Sequence, residues 1–257
     1  MDTSLEFTSF VAVGDSFTEG MSDELPDGTY RGWADLVAAR LAADSPGFLY
    51  ANLAVRGKLI GQIADEQVDT AAAMNADLVS LAGGMNDVLR PKCDVDLVCA
   101  RLEEAAAKLA PSTRRLLLFR PVDSSRRLRG GTRLMPRIQR LLDLTSELGE
   151  RHGAVVVDLF AVRAFDDPRL WAEDRLHLNA EGHRRIAEAV LCALGVPQTF
   201  DWTQPLPPAP AVAWAARRRS DLRWARTHLG PWIGRRLTGR SSGDGRPPKR
   251  GDLSPWG

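Results

Sequence analysis

The chain has 257 residues and a mass of 28.2 kDa, a length that suits one sizeable domain with a short extension. Hydrophobic residues make up 44% of it and charged residues 26%, a balance that excludes a wholly disordered or fibrous protein. The 34 Lys and Arg nearly cancel the 33 Asp and Glu, but residues 201–257 alone hold 11 basic and four acidic side chains, so basic charge is concentrated there.

Apolar runs that alternate with helical patterns indicate an α/β fold. Short, nearly continuous apolar runs predict buried strands at residues 10–13, 48–52, 78–82, 116–120 and 154–159. Residues with helical spacing follow at 32–43, 97–109, 132–151 and 179–194. This alternation favours a three-layer α/β/α sandwich around a parallel sheet, joined by right-handed crossovers. We assign residues 1–200 to this domain.

A basic extension of different composition follows the domain. Four of the seven residues at 204–210 are proline, so 201–210 is predicted to be an extended linker. Residues 211–237 are predicted to form a basic amphipathic helix, and 238–257 a disordered tail rich in Gly, Pro, Ser and Arg. A solvated appendage, a helix lying on an anionic membrane surface and a lid over the functional site all remain open. Nucleic-acid binding is not expected, because no recognisable reading module accompanies the charge.

Cysteine usage and the N-terminal residues indicate the compartment. Cys93, Cys99 and Cys192 are odd in number and have no CxxC spacing, so reduced thiols are expected rather than a disulfide framework. The first residues lack the basic region of a signal peptide, and no run of about 18 apolar residues is present. We therefore expect a soluble, cytoplasmic protein of undetermined oligomeric state.

The first predicted strand leads into GDSFTEG, residues 14–20, which contains a candidate nucleophile. Ligands of doubly wound sheets bind beyond the carboxyl ends of the strands. Ser16 would present its hydroxyl there, with its backbone N–H at the positive end of a helix, an arrangement that suits attack on a substrate acquiring negative charge. A simple helix cap is the alternative for Ser16.

The sequence DRLHLN, residues 174–179, precedes the last predicted helix and contains a candidate base. An Asp three residues before a His can fold back and accept the ring Nδ1–H, which leaves the other ring nitrogen as a proton acceptor. A serine hydroxyl is a weak nucleophile that needs such a base. For Asp174 and His177, the alternative is a solvated carboxylate and a surface imidazole.

Two further blocks follow the third and second predicted strands: GGMND at residues 83–87 and NLAVRG at 52–57. The Asn86 amide and the Gly57 backbone N–H, together with the Ser16 N–H, are candidate donors to an oxyanion. Gly and Asn are also common in ordinary turns, which is the alternative. Asp15 and Asp87 are expected to bond to neighbouring loops, and His183 to lie in a helix without a metal.

In this order the four blocks resemble the SGNH (GDSL) hydrolase superfamily, over roughly residues 8–195. The resemblance implies a flavodoxin-like sheet of five parallel strands and no metal or organic cofactor. It implies Ser16 as nucleophile, Asp174 and His177 as its partners, and an oxyanion hole formed by Ser16, Gly57 and Asn86. The sequence has GDSF where the family name spells GDSL, and we treat this departure as neutral because Phe17 is apolar.

These observations predict a serine hydrolase acting on a small-molecule or lipid ester. The alternative is a hydrolase-like binding or scaffold protein, which residues 211–237 would direct to a membrane or another acidic partner. Loops at 21–30 and 122–131 are expected to shape the pocket rim. The second loop carries Arg126, Arg127 and Arg129, which would favour an acidic substrate unless they face solvent.

Overall fold

The computed structural model describes residues 6–127, 131–210, 214–231, 234 and 241–257. Within these residues one sheet contains six strands: β1 Ser9–Val13, β2 Leu49–Asn52, β3 Leu78–Leu81, β4 Arg115–Arg120, β5 Val155–Asp158 and β6 Arg250–Pro255. The strand order is β5-β4-β3-β1-β2-β6. Strands β1 to β5 pair in parallel, and β6 pairs antiparallel with β2.

Nine α-helices belong to the described residues: α1 Ser16–Glu19, α2 Gly32–Asp44, α3 Ile60–Glu66, α4 Val68–Ala73, α5 Met85–Val88, α6 Val95–Leu109, α7 Met135–His152, α8 Ala180–Ala193 and α9 Trp214–Trp224. The longer predicted helices of the domain and its five predicted strands are present with ends shifted by a few residues. The pair α3 and α4 was not predicted, because helices this short show little periodicity.

Two apolar clusters, one on each face of the sheet, form the core. Along β1, Phe10 and Ala12 pack in the cluster that includes α2 and α8. Val11 and Val13 pack in the other cluster, with α3, α4, α6 and α7. Successive strand side chains point to opposite faces, so a strand with all five residues buried must be covered on both sides. The predicted three-layer α/β/α sandwich is therefore confirmed.

The expected count of five strands is wrong, because the C-terminal residues add a sixth. Residues 238–257 were expected to be disordered, but within the described part, 241–257, β6 lies along β2; residues 238–240 lie outside the described chain. Trp256 donates its backbone N–H to the Phe48 carbonyl oxygen at 2.8 Å, and its ring centroid lies 5.5 Å from that of Tyr50. An unpaired edge of β2 accepts a strand from distant sequence, which composition alone does not reveal.

The described part of the predicted helix at 211–237 comprises α9 and a π-helical turn, Ala225–Leu229. The remaining residues of that prediction lie outside the described chain, apart from 230, 231 and 234. Trp214 and Leu222 are 73% and 72% exposed, whereas the indole N–H of Trp224 bonds to the main domain. Among the described helices, none has the length and apolarity needed to cross a bilayer.

Candidate active site

The turn from β1 into α1 holds Ser16 at the carboxyl edge of the sheet. Asp15 caps α1, since its side chain accepts the Phe17 N–H at 3.0 Å. Gly20 ends the helix at a φ of +93°, and a Cβ atom there would collide with the Arg31 carbonyl group. Glycine alone tolerates both the left-handed backbone and this close approach, so α1 is held against the start of α2.

The imidazole of His177 lies between the Ser16 hydroxyl and the Asp174 carboxylate. Its Nε2 atom is 3.0 Å from Ser16 Oγ, and its Nδ1 atom is 2.6 Å from Asp174 Oδ2. The loop that holds Asp174 and His177 folds back between these two residues, and Arg175 within it has a left-handed φ of +59°. Three residues selected from the sequence, two of them 161 positions apart, are thus within hydrogen-bonding distance.

The loop stabilises Asp174 as a carboxylate. Its Oδ1 atom accepts the backbone N–H groups of Leu176 at 2.9 Å and His177 at 3.0 Å. Burial acts to raise the pKa of Asp174, but the hydrogen bond and charge of His177, with the two backbone N–H groups, lower it to about 2. Asp174 is therefore ionised at neutral pH and accepts the Nδ1–H of the imidazole.

Asn86 contacts Asp15, the residue before Ser16, and both hydrogens of its amide are already bonded. Its Nδ2 atom donates to Asp15 Oδ2 at 3.0 Å and to the Lys58 carbonyl oxygen at 3.1 Å. Burial raises the pKa of Asp15 to about 6, against the opposing effects of the Phe17 N–H and the His177 charge. Asp15 therefore bonds within the site, as expected, and Asp87 accepts the backbone N–H of Ile60 at 3.1 Å.

Gly57 and Asp174 are the two predicted site residues that do not line the cavity next to Ser16, and of these Gly57 has no bond to the other site residues. It adopts a φ of +76°, and a Cβ atom there would collide with Ser241 Oγ, which belongs to the C-terminal segment. The preceding residue, Arg56, forms a buried ion pair with Glu19 and donates its backbone N–H to that carboxylate at 2.6 Å. These contacts hold the loop that contains Gly57 against α1.

The cavity next to Ser16 has a volume of about 170 Å³, and Asp15, Asn86 and His177 also lie on its wall. Most of the remaining wall is apolar and includes Phe17, Met85, Phe119, Leu141 and Trp171. An apolar cavity of about 150 Å³ accommodates a benzene molecule. This cavity therefore has room for a short acyl chain or another small organic group beside the serine hydroxyl.

His183 braces the cavity wall from α8. Its Nδ1 atom accepts the backbone N–H of Trp33 at 3.3 Å, and its Nε2–H donates to the Met21 carbonyl oxygen at 3.0 Å. Burial lowers the pKa of His183 to about 4, so the ring is neutral at pH 7. Among the described residues, no group of three or more His, Cys, Asp or Glu side chains is arranged to hold a metal ion.

Helix α9 contacts the loop that holds the imidazole, whereas the sequence left open whether the extension is solvated, lies on a membrane or packs over the site. The indole N–H of Trp224 donates to the Asp174 carbonyl oxygen at 2.8 Å. Asp221 forms an ion pair with Arg175 at 2.8 Å, and the Arg175 guanidinium lies 5.0 Å from the centroid of the Trp224 ring. The helix thus braces the Asp174–His177 loop from outside the cavity.

Residues 12–185 match the sequence profile of the GDSL-like Lipase/Acylhydrolase family, which covers more than half of the chain. The chain belongs to this family. The resemblance read from the four blocks is therefore confirmed, and this GDSL-like protein is a hydrolase of ester bonds. Comparison with curated proteins gave no match.

Solved structures agree with the fold of this GDSL-like hydrolase. An α/β hydrolase from the metagenome of Lake Arreo, Spain, is 27% identical, with a TM-score of 0.59 over 73% of this chain and 95% of that one. A single-residue variant of Axe2, an acetyl xylan esterase from Geobacillus stearothermophilus, is 20% identical. It has a TM-score of 0.61 over 76% of this chain and 97% of that one.

Proposed function

We propose that this GDSL-like hydrolase is a serine esterase in which Ser16 is the nucleophile, His177 the general base and Asp174 the partner that orients the imidazole. The observation that carries the proposal is the continuous hydrogen-bonded chain from Ser16 Oγ through both ring nitrogens to the Asp174 carboxylate, with distances of 3.0 and 2.6 Å. Such a chain raises the nucleophilicity of a hydroxyl that is weak by itself.

In the proposed reaction, Ser16 Oγ attacks the ester carbonyl carbon while His177 Nε2 takes the hydroxyl proton. The tetrahedral intermediate collapses, the C–O bond to the alcohol breaks, and the imidazolium returns the proton to the leaving alkoxide. Water then attacks the acyl-enzyme, again losing a proton to His177, and releases the carboxylic acid and Ser16. Asp174, ionised at neutral pH, stabilises the imidazolium in each half of the cycle.

The Ser16 N–H, the Gly57 N–H and the Asn86 amide are the donors proposed for the oxyanion. Ser16 and Asn86 are the two that geometry supports, because both lie on the cavity wall with His177. One of the Asn86 amide hydrogens must leave Asp15 or Lys58 to reach the oxyanion. Gly57 does not line the cavity, so its part requires the loop at Arg56 to approach the substrate.

The volume of the cavity favours small esters with a short acyl chain. About 170 Å³ of mainly apolar space next to Ser16 is enough for an acetyl, propionyl or butyryl group. The name of the acetyl xylan esterase with a similar fold indicates an acetylated substrate. We propose short-chain acyl esters as substrates of this protein too.

The proposal is tested with Ser16→Ala on p-nitrophenyl acetate and p-nitrophenyl butyrate. We expect kcat to fall by roughly 10⁴–10⁶-fold, because the attacking oxygen is lost. Ser146→Ala is the matched control, since the Ser146 hydroxyl bonds to the Leu142 carbonyl oxygen within α7. Equal turnover by Ser16→Ala and the control would remove Ser16 from the mechanism. A fluorophosphonate probe should label the wild type and the control but not Ser16→Ala.

A further inference from the structure

The cavity next to Ser16 has a cationic side chain on its wall that the proposed reaction does not use. Arg127 lies in the loop that follows β4, and it lines the same cavity as Ser16 and His177. Its guanidinium carbon lies 3.3 Å from the centroid of the Trp171 ring, which is also on the wall. The Trp171 indole is itself fixed, because its N–H donates to the Phe165 carbonyl oxygen at 2.9 Å.

Stacking on Trp171 leaves most of the guanidinium donors without a protein acceptor. Among the described residues, the Arg127 guanidinium donates one hydrogen bond, from Nη2 to the Arg175 carbonyl oxygen at 3.1 Å, and forms no ion pair. An arginine has five N–H donors arranged in a planar fork, so several of them are available to a ligand.

The two acidic groups whose charges act on Arg127, Asp166 and Asp174, are already paired with other side chains. Asp166 forms ion pairs with Arg126 and Arg163, at 3.4 and 2.8 Å. Asp174 accepts the imidazole Nδ1–H of His177. The neighbouring cation on the wall, Arg175, is paired with Asp221. Arg127 is thus the cavity cation with no carboxylate partner among the described residues.

A half-buried cation without a counter-ion is unfavourable, and an entering anion would relieve that cost. Burial lowers the pKa of Arg127 to about 10, opposed by the charges of Asp166 and Asp174, so the group still carries its charge at neutral pH. A planar guanidinium held by an aromatic ring matches a carboxylate in geometry, because two parallel N–H groups meet two oxygens.

We propose that Arg127 forms a subsite for a carboxylate group of the substrate, so that the preferred ester carries a negative charge in addition to its scissile bond. This inference rests on the proposed ester hydrolysis at Ser16, and it names the substrate class of that site. The carboxylate belongs either to the acyl part or to the alcohol part of the ester.

Two pairs of matched esters test the subsite and distinguish the two positions. Monomethyl glutarate and methyl valerate have acyl chains of equal length, and only the first carries an acyl-side carboxylate. The esters γ-acetoxybutyrate and butyl acetate form the equivalent pair for the alcohol side. The readout is the ratio of kcat/KM for the anionic ester to kcat/KM for its neutral partner, measured by proton release in a pH-stat. The wild type should favour the anionic ester in at least one pair.

Arg127→Gln should lower that ratio by roughly 10- to 100-fold, mainly through the KM of the anionic ester, because it removes a charged hydrogen-bond donor. Arg127→Lys keeps the charge but loses the fork, so an intermediate ratio is expected. Arg126→Gln is the matched control. Arg126 is the adjacent arginine, is paired with Asp123 and Asp166, and does not line the cavity. Its ratio should equal that of the wild type.

If the wild type hydrolyses the neutral esters with the same kcat/KM as the anionic ones, the subsite is overturned and the esterase proposal stands. A ratio that falls equally in the Arg126→Gln and Arg127→Gln variants would have the same consequence. If the wild type hydrolyses none of the four esters or the p-nitrophenyl esters, both proposals are overturned. Thermal unfolding of each variant shows whether it is folded, and Arg127→Lys supplies the comparison if Arg127→Gln is not.

Discussion

The Asn86 amide is held by partners that the proposed reaction must displace. Both of its hydrogens are donated, one to Asp15 and one to the Lys58 carbonyl oxygen. A tetrahedral oxyanion carries a full negative charge, so it competes well for one of these hydrogens. At neutral pH the Lys58 carbonyl oxygen is the acceptor more easily given up, because Asp15, whose pKa is raised to about 6, is then ionised and accepts more strongly.

Replacement of Asn86 by Ala should therefore reduce the rate of the chemical step more than substrate binding. We expect kcat for p-nitrophenyl butyrate to fall by roughly 10²–10³-fold with little change in KM, because the donor acts mainly on the transition state. Steady-state kinetics on folded protein provide the measurement. A kcat within twofold of the wild type would show that Asn86 is not an oxyanion donor.

At the scale of secondary-structure elements, α9 extends the active site beyond the segment that matches the family. The family match ends at residue 185, yet Trp224 bonds to the backbone of Asp174 and Asp221 pairs with Arg175. Two residues of the site loop, Asp174 through its backbone carbonyl and Arg175 through its side chain, thus contact a helix that is separated from the domain by the Pro-rich segment. We expect this helix to limit the movement of the carboxylate and imidazole.

Trp224→Phe tests this role, because it removes the indole N–H but keeps an aromatic ring beside Arg175. Loss of a hydrogen bond worth about 1 kcal/mol should loosen the loop and lower kcat by roughly two- to tenfold, with KM nearly unchanged. Trp214→Phe is the matched control, since Trp214 lies on the same helix with 73% of its surface exposed. Equal kcat values for the two variants would contradict the prediction.

Across the whole molecule, His183 connects three parts of the domain through one neutral ring. It bonds α8 to the start of α2 and to the loop after α1. An ordinary His pKa is 6.5, and burial lowers that of His183 to about 4. Between these values the unfolded chain binds more protons than the folded chain, so the His183 contribution to stability is present above pH 6.5 and is lost as the pH falls towards 4. The shift corresponds to about 3 kcal/mol.

His183→Gln should make the free energy of unfolding less dependent on pH between 4 and 6.5. Glutamine keeps polar atoms but does not titrate, so the variant should be less stable than the wild type at pH 7 and lose less stability on acidification. Asp15 acts in the opposite direction, because its raised pKa gives stability below pH 3.8 that is lost as the pH rises through about 6. The Asp15 effect is the same in the wild type and in His183→Gln, so it cancels when the free energy of unfolding of one is subtracted from that of the other.

Urea unfolding at several pH values measures that difference. His228→Gln is a suitable control, because His228 lies in the π-helical turn outside the domain. It should keep the pH dependence of the wild type. Parallel curves for the wild type and His183→Gln would show that the ring does not control acid stability.

Local periodicity and the order of the blocks were enough to predict the five parallel strands and to select the residues that meet in the candidate site, apart from Gly57. The parallel strands are nearly continuous apolar runs, because β1 to β4 are buried on both faces and the edge strand β5 is partly buried. The site residues follow such runs or precede a long helix. The proximity of Ser16, Asn86 and His177 follows from that placement, since parallel strands end at one edge. The hydrogen bond between Asp174 and the His177 ring was predictable from local sequence, because the two residues are only three positions apart.

Only the tertiary structure decided the features that depend on pairing between distant residues. The sixth strand, the contact of Ser241 with Gly57 and the bond from Trp224 to Asp174 each join the C-terminal residues to the domain. Composition described those residues as polar and basic, which says nothing about which edge or loop they meet. The partners of Arg127 were hidden likewise, because whether an arginine is paired depends on carboxylates brought near it by folding and not on its neighbours in sequence.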